Sequence, residues 1–213
     1  MRRMHGPLSM DSISPLTLNR LSVYLRALRQ LDEEGVQRIS SREMANTFHL
    51  SAPQIRKDLA QLGELGIRGV GYDVAHLRDK LEIQLGLRRQ HRAVIVGAGN
   101  IGCALAQFPG LNSEQFMVVG LVDIDKARIG TKVGHVTVRP SGDLAQIVRE
   151  KDAELGILAV PAEAAQENYD AMHAAGIRAV LNFAPVHLRE VESTRVKNVD
   201  LMIFLEELAH YLR

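Results

Sequence analysis

The chain has 213 residues, 46% hydrophobic and 24% charged, with a formal net charge of +1 and one cysteine. That length carries one large core or two small ones, and the composition is that of a soluble globular protein, with no apolar run near the roughly 18 residues a membrane span needs. Lone Cys103 excludes an internal disulfide framework and a Cys-rich zinc site, so no metal is expected, and no membrane partner.

The first ten residues contain two arginines but no apolar stretch, so they do not read as a secretory signal, and a cytoplasmic location is expected. Residues 1–13 are expected to form a disordered tail. Residues 1–90 hold 14 Lys and Arg against 10 Asp and Glu, whereas the remainder hold 12 against 15. The opposite signs suggest that the first part meets a polyanion. Ser14 N-caps a helix with Pro15 at its first position, and Leu18, Leu21, Leu25 and Leu28 recur at helical spacing until Gly35 stops it. Ser40 with Glu43 predicts a capping box for a second helix, with Ile39 and Met44 as its hydrophobic staple. Ser51 with Gln54, flanked by Leu50 and Ile55, predicts the same for a third. Only His49, Leu50 and Ser51 separate the two. Gly63 to Tyr72 carries four glycines among β-prone residues, which predicts a tight hairpin. Leu77, Leu81 and Leu85 predict a linking helix, and Arg88 to His91 a boundary.

In the third helix Ile55, Leu59 and Leu62 fall on one face, leaving Gln54, Arg56, Lys57 and Gln61 to point elsewhere. Two helices joined by a tight turn, the second basic near its start, form the helix-turn-helix pattern. Arginine bonds guanine bidentately, glutamine reads adenine and lysine neutralises phosphate. The hairpin would be a wing, with Arg68 at its tip between Gly66 and Gly69, shaped for a narrow minor groove. A solvated charged face on a small helical domain is the competing reading; the paired caps, the short turn and the glycine-framed Arg68 favour DNA. The candidate DNA-binding residues are Ser51, Gln54, Arg56, Lys57, Gln61, Arg68 and Gly69.

The second half changes character. Apolar runs at 93–96, 117–122, 155–160 and 179–181 alternate with helical stretches, the pattern of a parallel sheet with crossover helices. Ala93 to Val96 leads directly into Gly97-Ala98-Gly99-Asn100-Ile101-Gly102, a G-x-G-x-x-G turn between strand and helix. The next apolar run ends on Asp123, placed to bond both ribose hydroxyls, and no basic residue is seen there for a 2′-phosphate. NAD(H) is therefore expected over NADP(H). The strand ends Val160-Pro161 and Phe183 line the crevice and are apolar, an environment that favours neutral NADH over the cationic nicotinamide of NAD+. Glu163 is assigned to a helix at 162–175. Gly97, Ala98, Gly99, Asn100, Ile101, Gly102, Asp123, Val160, Pro161 and Phe183 are the candidate ligand residues. His187 is the one tempting acid–base group and reads as a surface loop residue, and Cys103 as a packing residue, so no catalytic residue is assigned. The expected fold class is α/β: a winged helix over 14–88, a Rossmann-like parallel-sheet domain over 89–200, and a helix over 201–213. Leu201, Phe204, Leu205, Leu208 and Leu212 give that helix an apolar stripe; because the sheet is expected to have its own helices on both faces, a second copy is the expected acceptor.

Arg20-Leu21 with Tyr24-Leu25-Arg26, Gln54 to Leu59, Arg68 to Val74, Val96 to Asn100, Ala159 to Glu163 and Leu181 to Pro185 resemble the Rex redox-sensing transcriptional repressors, in order and from about Ser14 to the C-terminus. The resemblance implies a homodimer on inverted-repeat operators, released by NADH, with NAD+ competing or favouring DNA. The dinucleotide is thus a sensed ligand. It implies an exchanged terminal helix, and a switch in which Asp200 pairs with Arg20. Phe108 stands where the family usually has the tyrosine of that switch, and Ala60 to Gly66 replaces a more aromatic segment. Two rivals come from other classes: an NAD-dependent oxidoreductase with an accessory DNA-binding-like domain, and a CoA-binding module. Asp123 argues against CoA, which carries a 3′-phosphate on that ribose.

Overall fold

The computed structural model describes residues 13–48, 50–67 and 69–212 and divides after Arg88 into two compact units. Residues 1–12 of the expected tail, His49 of the turn, and Arg68 lie outside the described residues. Ile13, assigned to the tail, is buried and belongs to the folded part.

In the first unit α1 (Pro15–Glu33) is capped by Ser14, whose Oγ accepts from Thr17 N at 3.2 Å, and the chain leaves it through Gly35 at φ +77°. Leu21, Tyr24, Leu25 and Leu28 form its fully buried stripe. β1 (Arg38–Ile39) leads into α2 (Ser41–Phe48), followed by α3 (Ala52–Ala60). The Ser40–Glu43 box closes in both directions, at 2.7 and 3.2 Å. The Ser51–Gln54 box closes in one only: Gln54 N donates to Ser51 Oγ, while the Gln54 side chain turns to Asp58. β2 (Gly66–Ile67) and β3 (Gly71–Asp73) form the hairpin, and α4 (Val74–Gln84) follows. β1 adds a third strand in the order β1-β3-β2, which the sequence reading missed. Gly71 is required there: it sits at φ +96°, and a Cβ would lie 2.6 Å from the Ile39 carbonyl oxygen.

The second unit comprises β4 (His91–Val96), α5 (Asn100–Gln107), β5 (Phe116–Asp123), β6 (Lys132–Val133), β7 (Val136–Pro140), α6 (Leu144–Lys151), β8 (Leu155–Leu158), α7 (Ala162–Ala175), β9 (Ala179–Asn182), β10 (Arg195–Asn198) and α8 (Leu201–His210). The strands lie in the order β10-β9-β8-β4-β5-β7-β6, all pairs parallel except β6 with β7. The chain moves outward from β4 through β5 to β7, then returns to β8 on the other side. That reversal between β4 and β8 opens a crevice at the carboxyl ends of the strands, the place where open α/β sheets bind ligands.

One side of the sheet packs against α6 and α7 through Ile147, Val148, Tyr169 and Met172. The other packs against α5 over β4 and β5. No helix joins β9 to β10, so on the α5 side the sheet is open beyond β4: half-buried Leu155, Ala179 and Leu181 border a shallow concavity of about 240 Å³. This corrects the expectation that the unit covers both faces itself. In α8, Leu201, Phe204, Leu205 and Leu208 are 56–64% exposed.

Candidate functional site

α3 carries the first candidate site. Ile55 and Leu59 anchor it in the core at 0% and 1% exposure, and Arg56 and Lys57 are exposed. Ser51 caps its first turn and Gln61 its last. Arg56 Nη1 donates to Ser41 Oγ at 3.0 Å, linking α3 to the first turn of α2. A groove of about 1170 Å³ runs between these helices and the hairpin, bordered by Ser41, Arg42, Arg56, Gly66 and Gly69. Gly69, at φ +82°, shapes the hairpin turn. Arg42 was not among the sequence candidates.

Gln54 does not face outward as expected. Its Nε2 donates to Asp58 Oδ1 at 2.8 Å, within a cluster that spacing did not reveal. Asp58 is buried on the inner side of α3 at 1% exposure. Arg20 reaches it from α1 through Nε and Nη2, and Tyr24 donates its hydroxyl at 2.9 Å. Burial alone would raise the Asp58 pKa; the hydrogen bonds from Arg20, Tyr24 and Gln54 outweigh it and hold the carboxyl below its usual range. Burial, reinforced by the same carboxylate, pushes the Tyr24 phenol strongly up. The recognition-type helix is thus pinned to α1 by a buried, fully bonded anion.

The second candidate site is the crevice at the switch point, a cleft of about 660 Å³, within the usual range for small-molecule sites. Its three glycines answer to different constraints. A Cβ on Gly97, at φ +102°, would lie 2.3 Å from the Ala159 carbonyl oxygen, and one on Gly102 would lie 1.8 Å from that of Gly97. The chain's own packing therefore excludes any side chain at both. A Cβ on Gly99 would meet nothing closer than Arg128 Nη1 at 3.5 Å. Folding does not demand that glycine, and the space in front of it is the cleft. The turn opens into the N-terminus of α5, whose free N–H groups suit a diphosphate.

Asp123 ends β5 at 8% exposure. Its Oδ2 accepts Ala98 N at 2.6 Å and its Oδ1 accepts Asp125 N at 2.8 Å. Burial opposes ionisation, but these N–H groups and Arg128 prevail and keep its pKa below the usual carboxylate range. The sequence reading saw no basic residue here. The structure corrects it: Arg128 returns from the following loop to within 3.5 Å of Asp123 and 3.3 Å of Asp125. Its charge is committed to those two carboxylates. At the other end Val160, Pro161, Phe183 and Pro185 line the cleft. Gly99, Asn100 and Ile101 line it too, whereas Ala98 and Gly102 are buried beneath the turn. Glu163 is exposed in the first turn of α7 and His187 is exposed in its loop. Cys103, half-buried, donates to the Ala98 carbonyl at 3.1 Å. Phe108 ends α5 at 56% exposure, and Asp200 caps α8 by accepting Met202 N. Among the described residues no group of His, Cys, Asp and Glu is arranged to hold a metal, and no helix is long and apolar enough to cross a membrane.

Residues 12–60 match a family model described as "Putative DNA-binding protein N-terminus", and residues 88–186 match one described as "CoA binding domain". The chain is 43% identical to the redox-sensing transcriptional repressor Rex of Syntrophomonas wolfei subsp. wolfei, across 94% of this chain and 95% of the relative. It is 42% identical to the Rex repressor of Desulforamulus reducens across the same shares. Among solved structures, the Rex-family repressor RSP in complex with β-NAD+ and operator DNA matches with TM-score 0.88 and 34% identity, covering 94% of this chain and 92% of that one. RSP in complex with β-NADH matches with TM-score 0.86 and 32% identity, covering 94% of each chain. The chain belongs to the Rex family: it is a redox-sensing transcriptional repressor and not an enzyme.

Proposed function

We propose that this chain binds inverted-repeat operator DNA as a homodimer in the cytoplasm and releases it when NADH occupies the crevice of its second unit. The observation that carries the reading is the glycine turn facing Asp123. Gly99 is the one glycine of the three that the fold itself leaves unconstrained, and it borders a cleft whose far wall ends on a buried carboxylate. The backbone from Gly97 to Gly102 would cradle the diphosphate at the start of α5, and Asp123 would take the ribose diol. A 3′-phosphate on that ribose would meet the same anion, which disfavours CoA despite the description of the matching family model. Val160, Pro161, Phe183 and Pro185 supply an apolar end with no carboxylate among them, which favours the neutral nicotinamide of NADH over the cation.

For DNA, Arg56 and Lys57 on the exposed side of α3 are the base- and phosphate-directed groups, with Ser51, Gln61 and Gly69 beside them, and Arg68 of the hairpin is a further candidate. Gln54, bonded to Asp58, serves α3 placement before base reading. The homodimer rests on two unpartnered surfaces of one chain: the α8 stripe and the open side of β8 and β9. Each fully buried Leu or Phe contributes about 1.5–3 kcal/mol, so covering that stripe is a strong drive to assemble. A two-fold dimer then presents two copies of α3 to two half-sites. In the switch implied by the family resemblance, Arg20 pairs with Asp200. Nε and Nη2 of Arg20 are engaged with Thr17 and Asp58, so Nη1 is the edge left for that contact. The test is an Asp123→Ala dimer on a labelled palindrome. It should bind operator like the parent and need far more NADH for release; an unchanged NADH response would remove Asp123 from the ligand site.

A further inference from the structure

β9 ends on Asn182, a fully buried amide at 0% exposure. Its Oδ1 accepts Ala184 N at 2.9 Å, and its Nδ2 donates to the Val186 carbonyl and to Asn198 Oδ1, each at 2.9 Å. Its main-chain carbonyl accepts Val199 N at 2.8 Å. One residue therefore holds two segments at once. The first is the loop 183–186, whose Phe183 and Pro185 line the dinucleotide cleft. The second is the end of β10, two residues before Asp200 caps α8.

The chemistry of the site selects an amide. Nδ2 faces two acceptors and Oδ1 faces a donor, a combination asparagine alone satisfies at that size. An aspartate would set a buried negative charge against two oxygens. A leucine would strand a buried N–H and two acceptors, each at a desolvation cost. Because one buried amide bonds both segments, a displacement of the loop strains its bonds to the end of β10.

We propose that Asn182 is a positioning residue that ties the nicotinamide-side wall of the cleft to the segment from which α8 departs. It thereby transmits ligand occupancy to the dimer helix. This rests on the reading that the cleft takes NADH and α8 joins the subunits. Phe183 and Pro185 sense what fills the cleft, Asn182 converts a shift of their loop into a shift at Asn198 and Val199, and α8 carries it outward. Coupling of this kind requires a physical element whose position both sites bias, and the bonds to Asn182 supply one.

The test avoids Asn182 itself, since replacing a buried amide endangers folding, and uses its exposed acceptor. In the chain of 213 residues, Asn198→Ala removes one bond of the tie and Asn198→Asp keeps an acceptor at the same place. NADH affinity is read by fluorescence, and operator affinity by anisotropy with and without saturating NADH. Asn198→Ala should bind NADH and, without ligand, operator as the parent does. Its NADH-induced loss of operator affinity should be about fivefold to tenfold smaller, the scale of one hydrogen bond. Asn198→Asp should restore the parental ratio, a rescue that a merely structural role does not require. A parental ratio in Asn198→Ala while the parent responds to NADH overturns the tie alone. A parent that NADH does not release overturns the functional reading and the tie with it.

Discussion

Arg20 on α1 grips Asp58 on α3 through Nε and Nη2 at 2.6 and 2.7 Å, across 38 residues of sequence. The pair matters because the carboxylate is almost fully buried while the guanidinium keeps one edge at the surface, with side-chain exposures of 1% and 25%. It fixes the helix proposed to read DNA against the helix whose Arg20 is proposed to pair with Asp200.

Breaking the pair from one side should be costly. Arg20→Leu leaves a buried anion with only Tyr24 and Gln54, and a loss of roughly 3 kcal/mol or more is expected in urea unfolding. Asp58→Asn should cost less, because no charge is stranded in the interior. Folding lowers the Asp58 pKa, so its stabilisation is complete above about pH 4 and fades as pH falls through the lowered folded value. The stability difference between parent and Asp58→Asn should therefore hold at neutral pH and narrow in acid. A difference that stays constant down to acid unfolding would count against the ion pair as its source.

The glycine turn separates folding from binding. Gly99→Ala places a methyl at ordinary contact distance from Arg128 and should cost at most about 1 kcal/mol, the difference between glycine and alanine at a helix N-cap. It should nonetheless weaken NADH binding at least tenfold, since the methyl stands where the diphosphate approaches. Gly97→Ala should destabilise the protein outright, because its Cβ meets backbone at 2.3 Å. Thermal melts and NADH titration of both variants decide the matter; equal NADH affinity in Gly99→Ala and parent would contradict the cradle.

On α3 the two exposed cations should behave differently. Lys57→Ala should weaken binding to every sequence alike and flatten the salt dependence by about one unit of slope. Arg56→Ala should cost about 1–3 kcal/mol and relax preference at one base pair. Arg68→Ala should weaken operator binding as well. Affinity unchanged in all three folded variants would remove α3 and the hairpin from the DNA interface.

The α8 stripe should be an assembly element. Leu205→Glu, or deletion of residues 202–213, should shift sedimentation velocity from dimer to monomer or aggregate and abolish cooperative binding to a full palindrome. A soluble truncated dimer with parental operator affinity would sink the assignment.

What the sequence displayed was its local chemistry. Ser14, Ser40 and Ser51 each announce a helix start because a cap acts within three residues, and Gly97 to Gly102 with Asp123 act across one strand–helix–strand unit. What stayed hidden depends on long-range return of the chain. Asp58 finds Tyr24 and Arg20 34 and 38 residues away, which no periodicity encodes. Arg128 reaches Asp123 only because the loop after β5 folds back. β1 is two residues long and exists by pairing with β3. The open side of β8 and β9 follows from a missing helix between β9 and β10, a matter of topology that apolar runs alone do not reveal.

Operator affinity should follow the NADH/NAD+ ratio. The direct measurement is anisotropy of a labelled palindromic operator at fixed total dinucleotide, with the ratio varied from all NAD+ to all NADH. Full binding is expected in NAD+ and progressive release as NADH rises, with Asp123→Ala shifted to much higher NADH. Operator affinity that is flat across the whole ratio, in a folded dimer that binds NADH, would contradict it.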